Sequence, residues 1–261
     1  MKRVLGRRPP NHEDLFGLNY IQALEHKRSR RIEKVYCLEK SPLDCNSPVF
    51  FYGWNNGGGP LFIDHIFSSK EFLNEHSDCK SCLEVCSGPG FIGFYLQKYL
   101  KLDFVNFLDI NKEVEKLINK TFLHNNIKGK FYLSDGLNDY KGEKVDLIVM
   151  NPPFFTLEDE FKEHIKISGI EEKEAIERSR LITLDKDFKL HTNLINNCMN
   201  ILNDNGRIVF LEVIKNIPPK RILDKFAKII DYSVVGYTDM IKEFNIQSEI
   251  PNYYTLTIYK K

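Results

Sequence analysis

A mostly parallel α/β sandwich is the fold this sequence predicts, and three observations predict it. From residue 82 onward, short apolar runs of β-branched and aromatic residues alternate with amphipathic helical stretches. Strand–helix alternation with such apolar strands buried between helices means a mostly parallel sheet covered on both faces. The last two runs follow each other without a helical pattern between them, which predicts an antiparallel edge.

The strands are expected at 83–86, 104–108, 130–133, 145–150, 207–213, 233–237 and 253–259, a seven-stranded sheet. Helices are expected between them near 91–101, 112–125, 187–203 and 219–230. Upstream the texture differs. Over 13–31, Leu15, Phe16, Leu18, Tyr20, Ile21 and Leu24 recur at three- and four-residue steps, which predicts a small N-terminal helical extension. It ends in Lys27-Arg28-Ser29-Arg30-Arg31, cations that suit a helix C-terminus and are also able to touch phosphates. An apolar stretch, Phe50-Phe51-Tyr52, then enters the glycine-rich run Gly57-Gly58-Gly59, followed by a helical pattern over 61–75. The expected division is an extension or lid over 1–78 and a layered domain over 79–261.

Composition bounds the function. With 261 residues, 42% of them hydrophobic, the chain is long enough for a sizeable core. Its 37 Lys+Arg against 36 Asp+Glu exclude a strongly basic nucleic-acid coat and an acidic tail, so any nucleic-acid contact is a local patch. No apolar run approaches the roughly 20 residues of a membrane span, and no membrane partner is expected. The first ten residues are basic but lead into no apolar segment, so no secretory signal is expected. Six cysteines are too few for a disulfide framework in this length and are expected as reduced thiols in a cytoplasm.

The chemistry starts at Leu83-Glu84-Val85-Cys86-Ser87-Gly88-Pro89-Gly90-Phe91-Ile92-Gly93, which follows one strand and opens a helix. Gly88 and Gly90 let the backbone turn sharply against a ligand, and Gly93 lets the helix pack on its strand. Asp109 closes the second strand, where a carboxylate accepts ribose hydroxyls. Ser134-Asp135-Gly136 closes the third, and the fourth runs straight into Asn151-Pro152-Pro153-Phe154. A dinucleotide-binding dehydrogenase would share the first two features but has no use for the last.

Taken together, residues 80–260 resemble the class I S-adenosylmethionine (SAM) dependent methyltransferases, a Rossmann-like family. The resemblance is to the subgroup with Asn-Pro-Pro-Phe/Tyr after the fourth strand. That subgroup includes release-factor glutamine N5-, adenine N6- and ribosomal-RNA guanine N2-methyltransferases. It implies SAM as cofactor, with Glu84, Cys86, Ser87, Gly88 and Gly90 at its methionine end, Asp109 on the ribose, and Ile110, Asp135 and Gly136 beside the adenine. Phe154 stands where glutamine-directed relatives usually carry Tyr, and Phe is more frequent among the nucleobase-directed ones. The first loop reads Cys86-Ser87-Gly88-Pro89-Gly90, where Asp/Gly-x-Gly-Thr/Ser-Gly is commoner.

Asn151-Pro152-Pro153-Phe154 can be argued on its own terms. An amide or ring-bound exocyclic amine has a delocalised lone pair and is a poor nucleophile. Two acceptors aimed at its N–H bonds, the Asn151 side-chain oxygen and the Pro152 carbonyl, point that lone pair at the methyl and stabilise the charge that develops. Phe154 stacks on the planar group, and consecutive prolines stiffen the turn. Asn151, Pro152 and Phe154 are therefore the expected catalytic residues, and no metal is required. The acceptor stays open between a protein glutamine, a nucleobase and a small metabolite. A rival keeps the SAM pocket but attacks or cyclises the aminocarboxypropyl group with release of methylthioadenosine; a third reading is a SAM-binding protein without turnover.

His76, Cys79, Cys82 and Cys86 supply zinc ligands four in number, but Cys82 and Cys86 bracket one strand and the spacing suits no closed tetrahedral site. The charged stretch 155–186 follows the catalytic motif directly and is expected either as a substrate loop or as a solvated helix. Trp54 and Gly57–Gly59 stand where relatives place a segment that closes over the cofactor, or Trp54 is a core residue.

Overall fold

The expected strands form one sheet, within a few residues of their sequence-read limits. The computed structural model describes residues 33–39, 45–52, 59–213, 217, 219–226, 235–239 and 253–260. The helix expected over 13–31, its basic run, Trp54, Gly57 and Gly58 lie outside these. Strands β3 (Ser81–Val85), β4 (Phe104–Asp109), β5 (Phe131–Leu133), β6 (Val145–Met150), β7 (Leu202–Val213), β8 (Val235–Asp239) and β9 (Tyr253–Tyr259) order as β5-β4-β3-β6-β7-β9-β8. From β5 to β7 all pairs are parallel, while β9 runs antiparallel to both β7 and β8. Chain order runs outward one way from β3 to β5 and the other way from β6 to β7. The switch point lies between β3 and β6, where open α/β sheets bind ligands.

Helices cover both faces, as the alternation of apolar strands with helices requires. On one face α3 (Phe91–Leu100) and α4 (Glu115–Asn125) pack on Val105, Phe107, Leu147 and Val209. On the other, α7 (Lys189–Ile201) and α8 (Pro219–Phe226) meet Leu83, Val85, Ile148 and Phe210. Gly93 is small because it must be: a Cβ there would sit 2.6 Å from the Phe107 ring.

The helical pattern over 61–75 is broken into α1 (Gly59–Phe62), a π-helical turn (Ile63–Phe67) and α2 (Lys70–Glu75). Ser69 starts α2 as its N-cap, its hydroxyl accepting from the Phe72 N–H at 3.1 Å.

Upstream, the sequence reading missed an antiparallel hairpin, β1 (Glu33–Cys37) and β2 (Pro48–Tyr52). It packs on α3 and α4, with the Tyr36 and Phe51 rings 5.5 and 5.2 Å from that of Phe91. It also corrects the expectation of six reduced thiols. Pairing brings Cys37, at the end of β1, opposite Pro48 at the start of β2, and Cys45, three residues before β2, closes a disulfide with Cys37 with Cα atoms 5.2 Å apart. Cys79, Cys82, Cys86 and Cys198 form no disulfide. Among the described residues no helix is long and apolar enough to cross a membrane.

The stretch 155–186 carries two helices, α5 (Glu158–Ile167) and α6 (Lys173–Thr183). Arg180 grips Glu158 with two hydrogen bonds of 2.7 Å and lies over the Phe161 ring. The base of this excursion is closed: the Phe155 N–H donates to Thr183 O and the Asp185 N–H to Phe155 O, both at 2.8 Å.

Candidate functional site

At the C-terminal ends of β3, β4, β5 and β6, the register brings the expected residues to one edge. Val85 pairs with Leu108, and Val85 also with Met150, so the Cys86–Gly90 loop, Asp109 and Asn151 follow adjacent strand ends. Asp109 pairs with Leu133, which puts Ser134-Asp135-Gly136 one strand further.

The first loop is built against Asp109. The Gly88 N–H donates to Asp109 Oδ2 at 2.7 Å, and the Asn111 N–H donates to Oδ1 at 2.8 Å. The carboxylate keeps acceptor capacity for a further donor. Burial pushes the Asp109 pKa up, against the pull of the Asn111, Gly88 and Ile110 amides. Gly90 stands at φ 82°, and a Cβ would lie 2.7 Å from the Phe107 ring. Cys86 takes a left-handed φ of 56° without being glycine, a conformation L-residues adopt at a cost. Ser87 is buried, and its hydroxyl reaches Gly88 O at 3.4 Å.

Glu84 is buried beneath the loop, its Oε2 accepting from the Gly93 N–H at 2.6 Å in the first turn of α3. Burial, opposed by the Gly93 and Ile92 amides, pushes its pKa up to about 8. The Cys86 thiol is pushed well above its usual range by burial and then by Asp109, Asp185, Asp135 and Glu84. Asp109 and Asp135 act on this thiol from the same strand-end edge, and their field favours a cationic ligand.

Ile110 is 46% exposed and Asp135 is exposed, so both present their side chains at the rim. Gly136 has φ 62°, and a Cβ there would meet Asn193 Oδ1 at 2.4 Å. That same Asn193 oxygen accepts from the Leu137 N–H at 2.9 Å, so α7 shapes this turn, a contact the sequence reading did not include. Pro152 and Pro153 are buried, Asn151 and Phe154 half-buried. The Phe154 ring lies 4.5 Å from that of Phe155 and spans the main core and the small core under α5.

Two upstream elements reach this edge. Phe91, the residue after Gly90, takes the hairpin rings on one side, and Gly59 approaches it so closely that a Cβ would lie 2.6 Å from its ring. The zinc candidates are not brought together. Cys79 precedes β3 and accepts from Arg207 at 2.9 Å, whereas Cys86 lies at the opposite end of that strand. Burial and then Arg207 push His76 down to about 3. Among the described residues no group of three or more potential ligands forms.

Residues 58–167 match the methyltransferase small domain family. No curated protein matches the sequence. The fold is that of the Thermus thermophilus 16S rRNA N2 G1207 methyltransferase RsmC, solved in complex with AdoMet and guanosine. That likeness has a TM-score of 0.53 and 12% identity over 88% of this chain and 50% of that one. Ribosomal protein L11 methylase from Lactobacillus delbrueckii subsp. bulgaricus aligns at 0.45 with 16% identity, covering 78% of this chain and 77% of its own. TrmN from Thermus thermophilus aligns at 0.44 with 14% identity, covering 73% and 48%. The chain spans about half the length of RsmC, of TrmN and of a Streptococcus mutans structure also matched. The chain thus matches the methyltransferase small domain over 58–167 and has the methyltransferase fold.

Proposed function

We propose that this chain, built around a methyltransferase small domain, is a SAM-dependent N-methyltransferase whose acceptor is a planar nitrogen. The observation that carries this reading is Asn151-Pro152-Pro153-Phe154 at the end of β6, beside the glycine loop at the switch point.

Bound SAM supplies a methyl group activated on a positively charged sulfur. Around it, Glu84 and the backbone of Cys86, Ser87, Gly88 and Gly90 hold the methionine end. The remaining acceptor capacity of Asp109 takes the ribose hydroxyls, and Ile110, Asp135 and Gly136 border the adenine. Asn151 and the Pro152 carbonyl accept from the acceptor N–H bonds, and Phe154 stacks on its plane. The carboxylates around Cys86 favour the cationic cofactor over its product, which has lost the sulfonium charge. Phe154 in place of Tyr supports a nucleobase among the open acceptor classes, and RsmC, of the same fold, was solved with guanosine.

The test supplies SAM with guanine- and adenine-containing oligoribonucleotides, a glutamine peptide and small amines, and identifies both products by mass spectrometry. S-adenosylhomocysteine with an N-methylated acceptor is the expected pair. Methylthioadenosine would replace the reading with aminocarboxypropyl chemistry, and tight SAM binding without turnover of any acceptor would leave a binding protein.

The electrostatics predict a pH dependence. A cation bound beside Glu84 favours its ionised form, so the pKa of about 8 falls on binding. Affinity for SAM therefore rises with pH up to about 8 and levels off above it, and binding near neutral pH releases a proton. Titration calorimetry in two buffers of different ionisation enthalpy reads that proton. Glu84→Gln retains the ligand's own titration and should lose this contribution. Identical proton release in the two proteins would place Glu84 outside the cofactor's reach.

A further inference from the structure

A buried carboxylate–imidazole–carboxylate cluster lies behind the acceptor motif, and nothing in the chemistry above uses it. His191 on α7 places Nδ1 2.5 Å from Asp185 Oδ2 and Nε2 2.8 Å from Glu212 Oε1. His191 and Glu212 are fully buried and Asp185 nearly so. The imidazole stacks on Phe210, with Phe188 edge-on at 5.3 Å.

Each carboxylate belongs to a different element beside Asn151–Phe155. Asp185 closes the base of the two-helix excursion: its N–H donates to Phe155 O, and its side chain accepts from the Leu190 and His191 N–H groups at 2.7 and 3.1 Å. Glu212 lies near the end of β7, which pairs with β6 up to Met150 opposite Phe210. Continuing that register by two residues sets Glu212 level with Pro152. One imidazole therefore joins the closing segment, helix α7 and the strand flanking the catalytic turn.

We propose that Asp185, His191 and Glu212 form a positioning triad that holds the Asn151–Phe155 segment in its acceptor-binding shape, and that deprotonating the imidazole releases it. The inference rests on the N-methyltransferase reading for its purpose but not for its test. Among the described residues, the charged groups that meet the imidazole are Asp185 from the closing segment and Glu212 from β7; the Phe188 and Phe210 rings pack against it. Burial alone would lower the His191 pKa, but Glu212 and Asp185 together raise it to about 9. Burial raises that of Glu212, with His191 opposing. The imidazole is thus charged at neutral pH, and both ring nitrogens donate. A group whose folded pKa is raised gives full stabilisation below its unfolded value, about 6.5, and loses it as pH rises through about 9.

The experiment is hydrogen–deuterium exchange on the full chain with SAM, comparing wild type with His191→Gln and Glu212→Gln across a pH series, alongside calorimetric SAM affinity. In wild type, after correction for the intrinsic rate, protection of 151–157 and 183–188 should drop roughly tenfold as pH passes about 9. In His191→Gln that protection should already be lost near neutral pH, with no further step, while SAM affinity changes less than about threefold. Glu212→Gln preserves an acceptor for Nε2–H without the charge, and should move the step to lower pH. If His191→Gln does not fold, this shift alone decides. Wild-type protection of 151–157 in a folded His191→Gln chain, or an unmoved step in Glu212→Gln, overturns the triad. So does equal loss across α3 and β3, which would mark general destabilisation. No acceptor enters the measurement, so a failed triad leaves the planar-nitrogen reading to its own assay.

Discussion

Asn151→Ala is expected to lose roughly 10²–10³-fold in single-turnover rate while its SAM affinity changes much less. The magnitude follows by analogy with removing one preorganised oxyanion-hole donor, since both interactions strengthen as charge develops. Asn151 follows β6 directly, and its neighbours Pro152 and Pro153 are buried, so the substitution leaves the turn's backbone support in place. Asn151→Asp retains an acceptor and should keep more activity than Ala. The assay follows the methylated acceptor and the adenosyl coproduct together. An Ala variant with near wild-type chemistry would sink the planar-nitrogen mechanism even if SAM binding stood. Under aminocarboxypropyl chemistry Asn151 has no amine to orient, so the same variant would keep considerable activity.

Asp109→Ala should weaken both SAM and S-adenosylhomocysteine by roughly 10- to 150-fold, the loss of about 1.5–3 kcal/mol in charge-assisted hydrogen bonding. The structure adds a second reason for a large effect. The carboxylate accepts from the Gly88 and Asn111 amides, so its removal leaves two loop donors without their partner and loosens the turn before Gly90. Asp109→Asn should recover part of the loss, because one oxygen still accepts. Calorimetry with both ligands is decisive: unchanged affinity in a folded Asp109→Ala chain removes Asp109 from the site.

Local pattern carried the sheet. Strands such as Val145–Met150 announce themselves by a short run that is apolar except for Asp146, and Phe91–Leu100 by the glycine turn before it. The β1–β2 hairpin was illegible because Glu33-Lys34-Val35-Tyr36-Cys37 carries no strong strand pattern. Its apolar side chains find their partners on α3 and α4, far along the chain. The Cys37–Cys45 disulfide was missed for the same reason: its pairing depends on a hairpin that the local sequence did not disclose.

The sequence by itself determined the fold class, the strand ends where ligands bind, and the candidate residues from Glu84 to Asn151 and Phe154, because each is tied to a turn or strand boundary readable within a few positions. Only the tertiary structure decided what stands behind them. Asn193 reaches the Gly136 turn across 56 residues to Leu137, Asp109 clamps Gly88 across 21, and His191 joins Glu212 across 21. A lone His on a helix and a lone Glu on a strand carry no periodic signal. Their meaning comes from burial, which removes water and makes each the other's necessary partner.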